Sequence, residues 1–350
     1  MQALRLSVLA LALLTGCDGN PFAAGAGGGS AAGSVASLPG TTAPRASGAI
    51  VRREAEGQGT TDEVTGNGFA FQDNQINYDA ANDTFAVDNL AFDGDNVYAR
   101  TTAADGALPT EVRAYAASST YADAQTGALI DQFSYRALYG VSTTGRSQFA
   151  IVRTGAYIPY GFGGFIYSRT SGVTLPGSGQ ANYTGTYTAL RDAEGIPADG
   201  EKLTYVVGDM TMAIDFDDFN ANASGVNKAG GVTGYVENRR IFDLAGNDIT
   251  QSIVDQINDD NNLTTNAIAE LPILNFSVGP GVIDANGEIE GDLTSTIPKQ
   301  GGGAQGFEEG KYYAVVSGDD ADEVVGVIVV TSQIDSVTLR ETGGFILYRQ

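Results

Sequence analysis

Histidine and tryptophan are both absent from this 350-residue chain. Without histidine there is no Ser-His-Asp or Cys-His triad, no imidazole base and no imidazole metal ligand. Cysteine occurs once, at Cys17, which excludes an intramolecular disulfide and a cysteine-based zinc site. Basic residues are scarce: 19 Lys and Arg stand against 42 Asp and Glu, for a formal net charge of −23. Such a surface repels a phosphate backbone, so no nucleic-acid partner is expected. Proline is limited to 10 residues. The apolar run at 324–331 is far shorter than the ~20 residues of a spanning helix.

What is abundant points to β structure. The chain holds 47 Gly, 16 Tyr and 15 Phe, with many β-branched residues that pack well on a pleated surface. Short strand-like runs separated by Asp, Asn and Gly recur at 84–92, 96–101, 112–116, 130–138 and 148–153. They resume at 181–191, 203–216, 231–242, 273–278 and 287–295. Regular short strands at this spacing predict an all-β, antiparallel chain of sandwich or barrel type. One helix is predicted over 249–257, with Ile249, Ile253, Val254 and Ile257 on one face. Asp248 is placed to cap it, with Gln251 as the partner of a capping box.

The first 16 residues read as a targeting segment: Arg5, then the apolar stretch LSVLALALL at 6–14. Leu14-Thr15-Gly16-Cys17 resembles the bacterial lipobox, in which the Cys thiol is diacylated and becomes the mature N-terminus. Cys17 is therefore the expected lipidation site, and the membrane a partner through that anchor. Residues 17–49 are Gly, Ala, Ser and Thr with almost no large apolar side chain, and cannot bury enough surface to offset ordering entropy. They read as a flexible tether with a root-mean-square reach of roughly 30 Å. The expected address is the cell envelope, at the outer membrane. Asp18 resembles the inner-membrane retention signal of enteric lipoproteins and keeps the inner membrane open.

Two segments match at five of seven positions: GGFIYSR at 163–169 and GGFILYR at 343–349. They read as equivalent closing strands of two lobes. An N-terminal β-rich lobe is then expected over 50–172 and a second over 180–350, with SGVTLPGSGQ at 171–180 as the boundary.

The last forty residues organise the second lobe. Strand-like runs at 312–317, 324–331 and 343–349 flank an acidic turn at 318–323. With the Tyr-rich opening strand YTGTY at 183–187 and the segment ending in Ile214-Asp215-Phe216, this closing run resembles the barrel domain of transferrin-binding-protein-B-like surface lipoproteins. The resemblance covers about half the chain. It implies an eight-stranded, up-and-down-like barrel over 180–350 with a side helix, and carries over no ligand-contacting residue. Alternation along the last strand places Phe345 and Leu347 on one face, expected inward, and Ile346 and Tyr348 on the other.

No motif reaches the specificity of a catalytic or metal site. A calcium loop starting at Asp218 has Asp218, Asn220 and Asn222 in place, but Ala223 stands where Gly is needed and Ala229 where Glu is needed. The aromatics Tyr157, Tyr160, Phe162, Phe165 and Tyr167 could stack a sugar or hold haem, but more simply pair across a barrel-wall hairpin. No metal and no cofactor are expected. The expected function is non-catalytic binding of a protein partner or small ligand. The alternative is a carboxylate-dependent glycoside hydrolase of the envelope, whose acids sequence spacing cannot select.

Overall fold

Alternating apolar residues need a second surface to bury one face, and a sheet can provide it by curling on itself. In the computed structural model this happens in the C-terminal half. Residues 76–87, 97–117, 120–122, 126–131, 135–154, 162–169, 173–193, 203–216, 231–277, 283, 287–318 and 320–350 are described. The expected leader and tether lie outside them.

Eight strands run in order around a closed antiparallel barrel. They are β10 (Gln180–Ala193), β11 (Thr204–Asp215), β12 (Val232–Phe242), β13 (Leu274–Phe276), β14 (Glu288–Pro298), β15 (Ala304–Ser317), β16 (Glu323–Ile334) and β17 (Val337–Arg349). Closure is between the first and last of these, with Tyr187 opposite Phe345 and Tyr183 opposite Arg349. The expected eight-stranded barrel, its opening strand and its closing strand are all present. Between β16 and β17 the chain reverses through Asp335 and Ser336, both at positive φ as a two-residue hairpin of this twist requires.

Phe345 and Leu347 do face inward, and join the interior core with Tyr183, Tyr187, Met210, Met212 and Ile328. The packing follows one device, a ring laid over a glycine. A Cβ on Gly343 would stand 2.2 Å from the Tyr187 ring, one on Gly326 2.5 Å from Phe345, and one on Gly291 2.5 Å from the Tyr312 hydroxyl. A barrel of eight strands is narrow, so large side chains fit only where a neighbour has none.

The helix α1 (Thr250–Asp260) buries Val254 and Ile257, as the periodicity predicts. It touches both β12 and β16, which stand on opposite sides of the ring. It therefore closes one end of the barrel instead of lying along its flank. Asp248 accepts from the Thr250 N–H at 2.9 Å, two residues on, and Gln251 bonds Asp255, so the expected capping box does not form.

The N-terminal region forms a seven-stranded antiparallel sheet. Its order is β1 (Ile76–Asp79), β2 (Thr84–Val87), β3 (Val97–Thr101), β4 (Val112–Ala116), β7 (Tyr135–Val141), β8 (Ser147–Thr154) and β9 (Phe162–Arg169). A separate ribbon pairs β5 (Thr120–Ala122) with β6 (Leu129–Asp131). The two GGFI segments occupy different places. The one in β17 pairs on both sides, whereas β9 ends the sheet's order and pairs with β8.

One face of the sheet packs on the outside of the barrel. Val112, Ala114, Leu138, Phe149, Ile151 and Phe165 meet Leu190, Tyr205, Val315, Val325, Val327 and Ile346 in a second core. Ile346 is thus 5 % exposed, buried beneath the sheet although it faces away from the barrel interior. Phe149 is the central knob. A Cβ on Gly344 would stand 2.3 Å from its ring on the barrel side, and one on Gly140 2.3 Å on the sheet side.

Gly344→Ala should therefore lower stability by about 1–3 kcal/mol through overpacking, and Gly343→Ala by a similar amount. Gly306→Ala, with nothing within 4 Å of the new carbon, should be close to neutral. Urea unfolding of the three variants checks this; a Gly344→Ala midpoint equal to that of Gly306→Ala would remove Phe149 from its seat.

Candidate functional site

Three sequence-selected features lie wholly or partly outside the described residues: Cys17, the acidic stretch 217–222, and the aromatic run up to 161. Of that run, Phe165 and Tyr167 are described and buried. Phe165 stacks on Tyr313 of β15 with centroids 6.0 Å apart, so it serves the sheet–barrel contact.

Sequence spacing selects no pair among the 42 acids, but the fold brings two together. Glu308 of β15 and Glu341 of β17 are both buried, with Arg191 of β10 and Arg239 of β12. Arg191 stands directly opposite Glu341 across the closing ladder and donates Nε at 2.9 Å and Nη2 at 2.6 Å to Oε2. Arg239 donates to both oxygens of Glu308, at 3.0 and 2.6 Å, and to the Pro272 carbonyl at 2.7 Å. The Tyr187 hydroxyl donates to Glu341 at 2.9 Å, and the Ser295 hydroxyl to Glu308 at 2.6 Å. Two cations and two anions thus balance in one layer.

Local irregularity aims these side chains. In β12 the inward positions run Val232 and Val236, then shift at a bulge where Val207 faces Arg240 but Asp209 faces Glu237. The extra residue, Asn238, takes a positive φ of 52°. Without it the next inward residues would be Asn238 and Arg240; with it they are Arg239 and Ile241. A second irregularity beside Glu308 leaves Phe307 without an opposite residue, with Ser295 facing Glu308 and Thr296 facing Gly306.

Burial alone would raise the pKa of Glu341, but Arg191 and Arg239 outweigh it and hold the carboxyl below its ordinary 4.5. For Arg239 burial again opposes the charge, and Glu308 and Glu341 more than compensate, raising its pKa. Burial, then the neighbouring Glu341 charge, push the Tyr187 phenol well up. Glu341, Arg239 and Tyr187 each therefore keep one protonation state around neutral pH. A general acid needs the reverse, a carboxyl lifted toward neutrality.

No family model and no curated protein matches the sequence. Among solved structures, the chain is similar to transferrin-binding protein B. The form from Haemophilus parasuis Hp5 is 11 % identical over 76 % of this chain and 58 % of that one, with a TM-score of 0.32. Isotype 1 from serogroup B Neisseria meningitidis is 12 % identical over 86 % and 57 %, with a TM-score of 0.30. A surface lipoprotein is 13 % identical over 59 % and 76 %, also at 0.30. The chain spans less than two thirds of either transferrin-binding protein B chain. The barrel described above rests on its own strand pairing, independently of this likeness.

A second polar cluster joins sheet and barrel at the opposite end from α1. Arg146, in the β7–β8 turn, donates to Asp322 at 2.7 Å, and the Ser147 hydroxyl donates to buried Glu323 at 2.9 Å. Thr144 also donates to Glu323. The Thr143 N–H donates to the Tyr348 hydroxyl at 2.9 Å. Beside Tyr348 a cavity of about 130 Å³ opens at the junction, lined by Glu111, Phe149, Thr186 and Ile346 among others. Sequence reading missed both clusters, because Arg191, Arg239, Glu308 and Glu341 look like surface residues inside strands.

Glu341→Gln should cost about 3–5 kcal/mol, since it leaves a buried arginine short of its counter-charge, while Arg191→Met/Glu341→Leu should cost less. Because the folded pKa of Glu341 lies below 4.5, its contribution is complete above that pH and is lost as pH falls through the folded value. Urea titrations from neutral pH to below 4.5 should show a shallower acid loss for Glu341→Gln than for the wild type. Equal slopes would contradict the ionised quartet.

Proposed function

We propose that this is a lipid-anchored envelope protein that binds a partner on its exterior and performs no reaction. One observation carries the proposal: the interior, where other barrels of eight strands can hold a small ligand, is filled here by side chains and by a charge-balanced quartet under α1. Binding then falls to the outer surface and the loops. The lipobox-like Leu14-Thr15-Gly16-Cys17 and the tether to residue 49 supply the anchor and the clearance such a surface needs. The outer membrane is the favoured location, with Asp18 keeping the inner membrane open.

The hydrolase alternative needs two acids flanking a substrate in one cleft, one of them protonated. Glu308 and Glu341 are the buried acids that the barrel brings together, and each is bound by arginine inside a packed barrel. That arrangement favours a structural role for them.

Two measurements test the proposal. Cys17→Ser should move the protein from the detergent phase to the aqueous phase of a phase-separation assay; retention in detergent would refute the anchor. Purified wild type should form a saturable, stoichiometric complex with a component of an envelope or medium extract and release no reducing sugar from envelope glycans. Sugar release lost in Glu341→Gln would instead establish the hydrolase.

A further inference from the structure

The cavity at the sheet–barrel junction has the chemistry of an ammonium site. Its floor includes the Gly185 backbone on β10. Its walls are apolar and aromatic: the buried Phe149, Ile346 and the ring of Tyr348. Three residues with oxygen-bearing side chains also line it: Glu111, Thr186 and Tyr348.

Glu111 distinguishes this acid from the others near the junction. Asp322 and Glu323 are taken by Arg146, and Asp192 by Arg153. Among the described residues Glu111 has no salt bridge within 4.0 Å; its side chain accepts one hydrogen bond, from the Thr110 hydroxyl at 3.2 Å. The Tyr348 hydroxyl already accepts the Thr143 N–H, which leaves its own proton and a lone pair for a guest. Burial raises the Tyr348 pKa, and the nearby Glu323 and Glu111 charges add to this, so the phenol stays neutral and the site's charge is that of its acids. A carboxylate beside two aromatic rings and an apolar floor attracts a cation through ion pairing and the ring quadrupoles together.

We propose that this junction cavity receives the side chain of a lysine from a protein partner. The cavity, at about 130 Å³, suits one slender alkyl arm. Glu111 supplies the counter-charge for the compact ammonium, and Phe149 and Ile346 supply apolar surface for the methylenes. A net charge of −23 favours basic partners for the chain as a whole. This rests on the reading of exterior binding given above, and gives that binding a chemical class.

The test uses the full chain and two probes, Nα-acetyl-lysine methylamide and its norleucine counterpart, which keeps the alkyl arm and lacks the charge. Saturation-transfer NMR titrations should show saturable binding of the lysine probe, at least tenfold tighter than the norleucine probe. Glu111→Gln should weaken the lysine probe about tenfold, which is about 1.4 kcal/mol, without moving the thermal midpoint. Thr186→Phe, on a half-exposed position, should block the cavity and abolish the signal. Absence of saturable binding to the wild type, equal binding of the two probes, or full binding by Glu111→Gln would each overturn the proposal. If the lysine probe fails while the extract complex still forms, the cavity is excluded and exterior binding stands.

Discussion

Two aromatic rings press on opposite faces of the dipeptide Gly343-Gly344, and most of the architecture depends on that contact. Tyr187 lies against Gly343 from inside the barrel, and Phe149 against Gly344 from the sheet. Successive residues of a strand face opposite ways, so one pair of glycines serves both cores at once. The next residues continue the division, Phe345 and Leu347 inward and Ile346 under the sheet. A single strand therefore sets the bore of the barrel and the distance at which the second sheet docks. Close-packed contacts transmit such a constraint, because each ring occupies the space that a side chain on its glycine would need.

The arginine–glutamate quartet imposes a second constraint on the same barrel. Charges in a dry interior are costly unless paired and hydrogen-bonded, and here the pairs span β10, β12, β15 and β17. Such a layer favours one arrangement of the four strands, since a slip of one residue would turn a buried charge outward and leave its partner unpaired. It also ties the ring to its cover, because Arg239 holds the Pro272 carbonyl in the segment that follows α1. On the reading proposed above, the barrel is a scaffold and recognition falls to its outer junction with the sheet.

How far the sequence foretold this can be seen strand by strand. β4 was legible to the residue, and β10, β11, β12 and β17 in their apolar parts, because alternation is a direct consequence of one buried face. The first halves of β15 and β17 were not. Their polar stretches AQGFEEG and VTLRET contain Glu308, Arg340, Glu341 and Thr342, which look solvated in sequence but are buried. The quartet was illegible for the same reason, and the bulge at Asn238 that aims Arg239 has no strong local signature. The cover of the barrel's outer face was also hidden. Ile346 and Val327 face away from the barrel interior, and only the docking of a distant sheet shows what covers them.

The central claim is that sheet and barrel form one cooperative unit joined through β17. Amide hydrogen exchange on the full chain, followed by mass spectrometry across a urea series, reads both parts in one experiment. Amides of β7 and β8 should reach the same opening free energy as those of β14 to β17 and lose protection at the same urea concentration. Loss of protection in β7 and β8 at lower urea, with the barrel amides still protected, would contradict the claim.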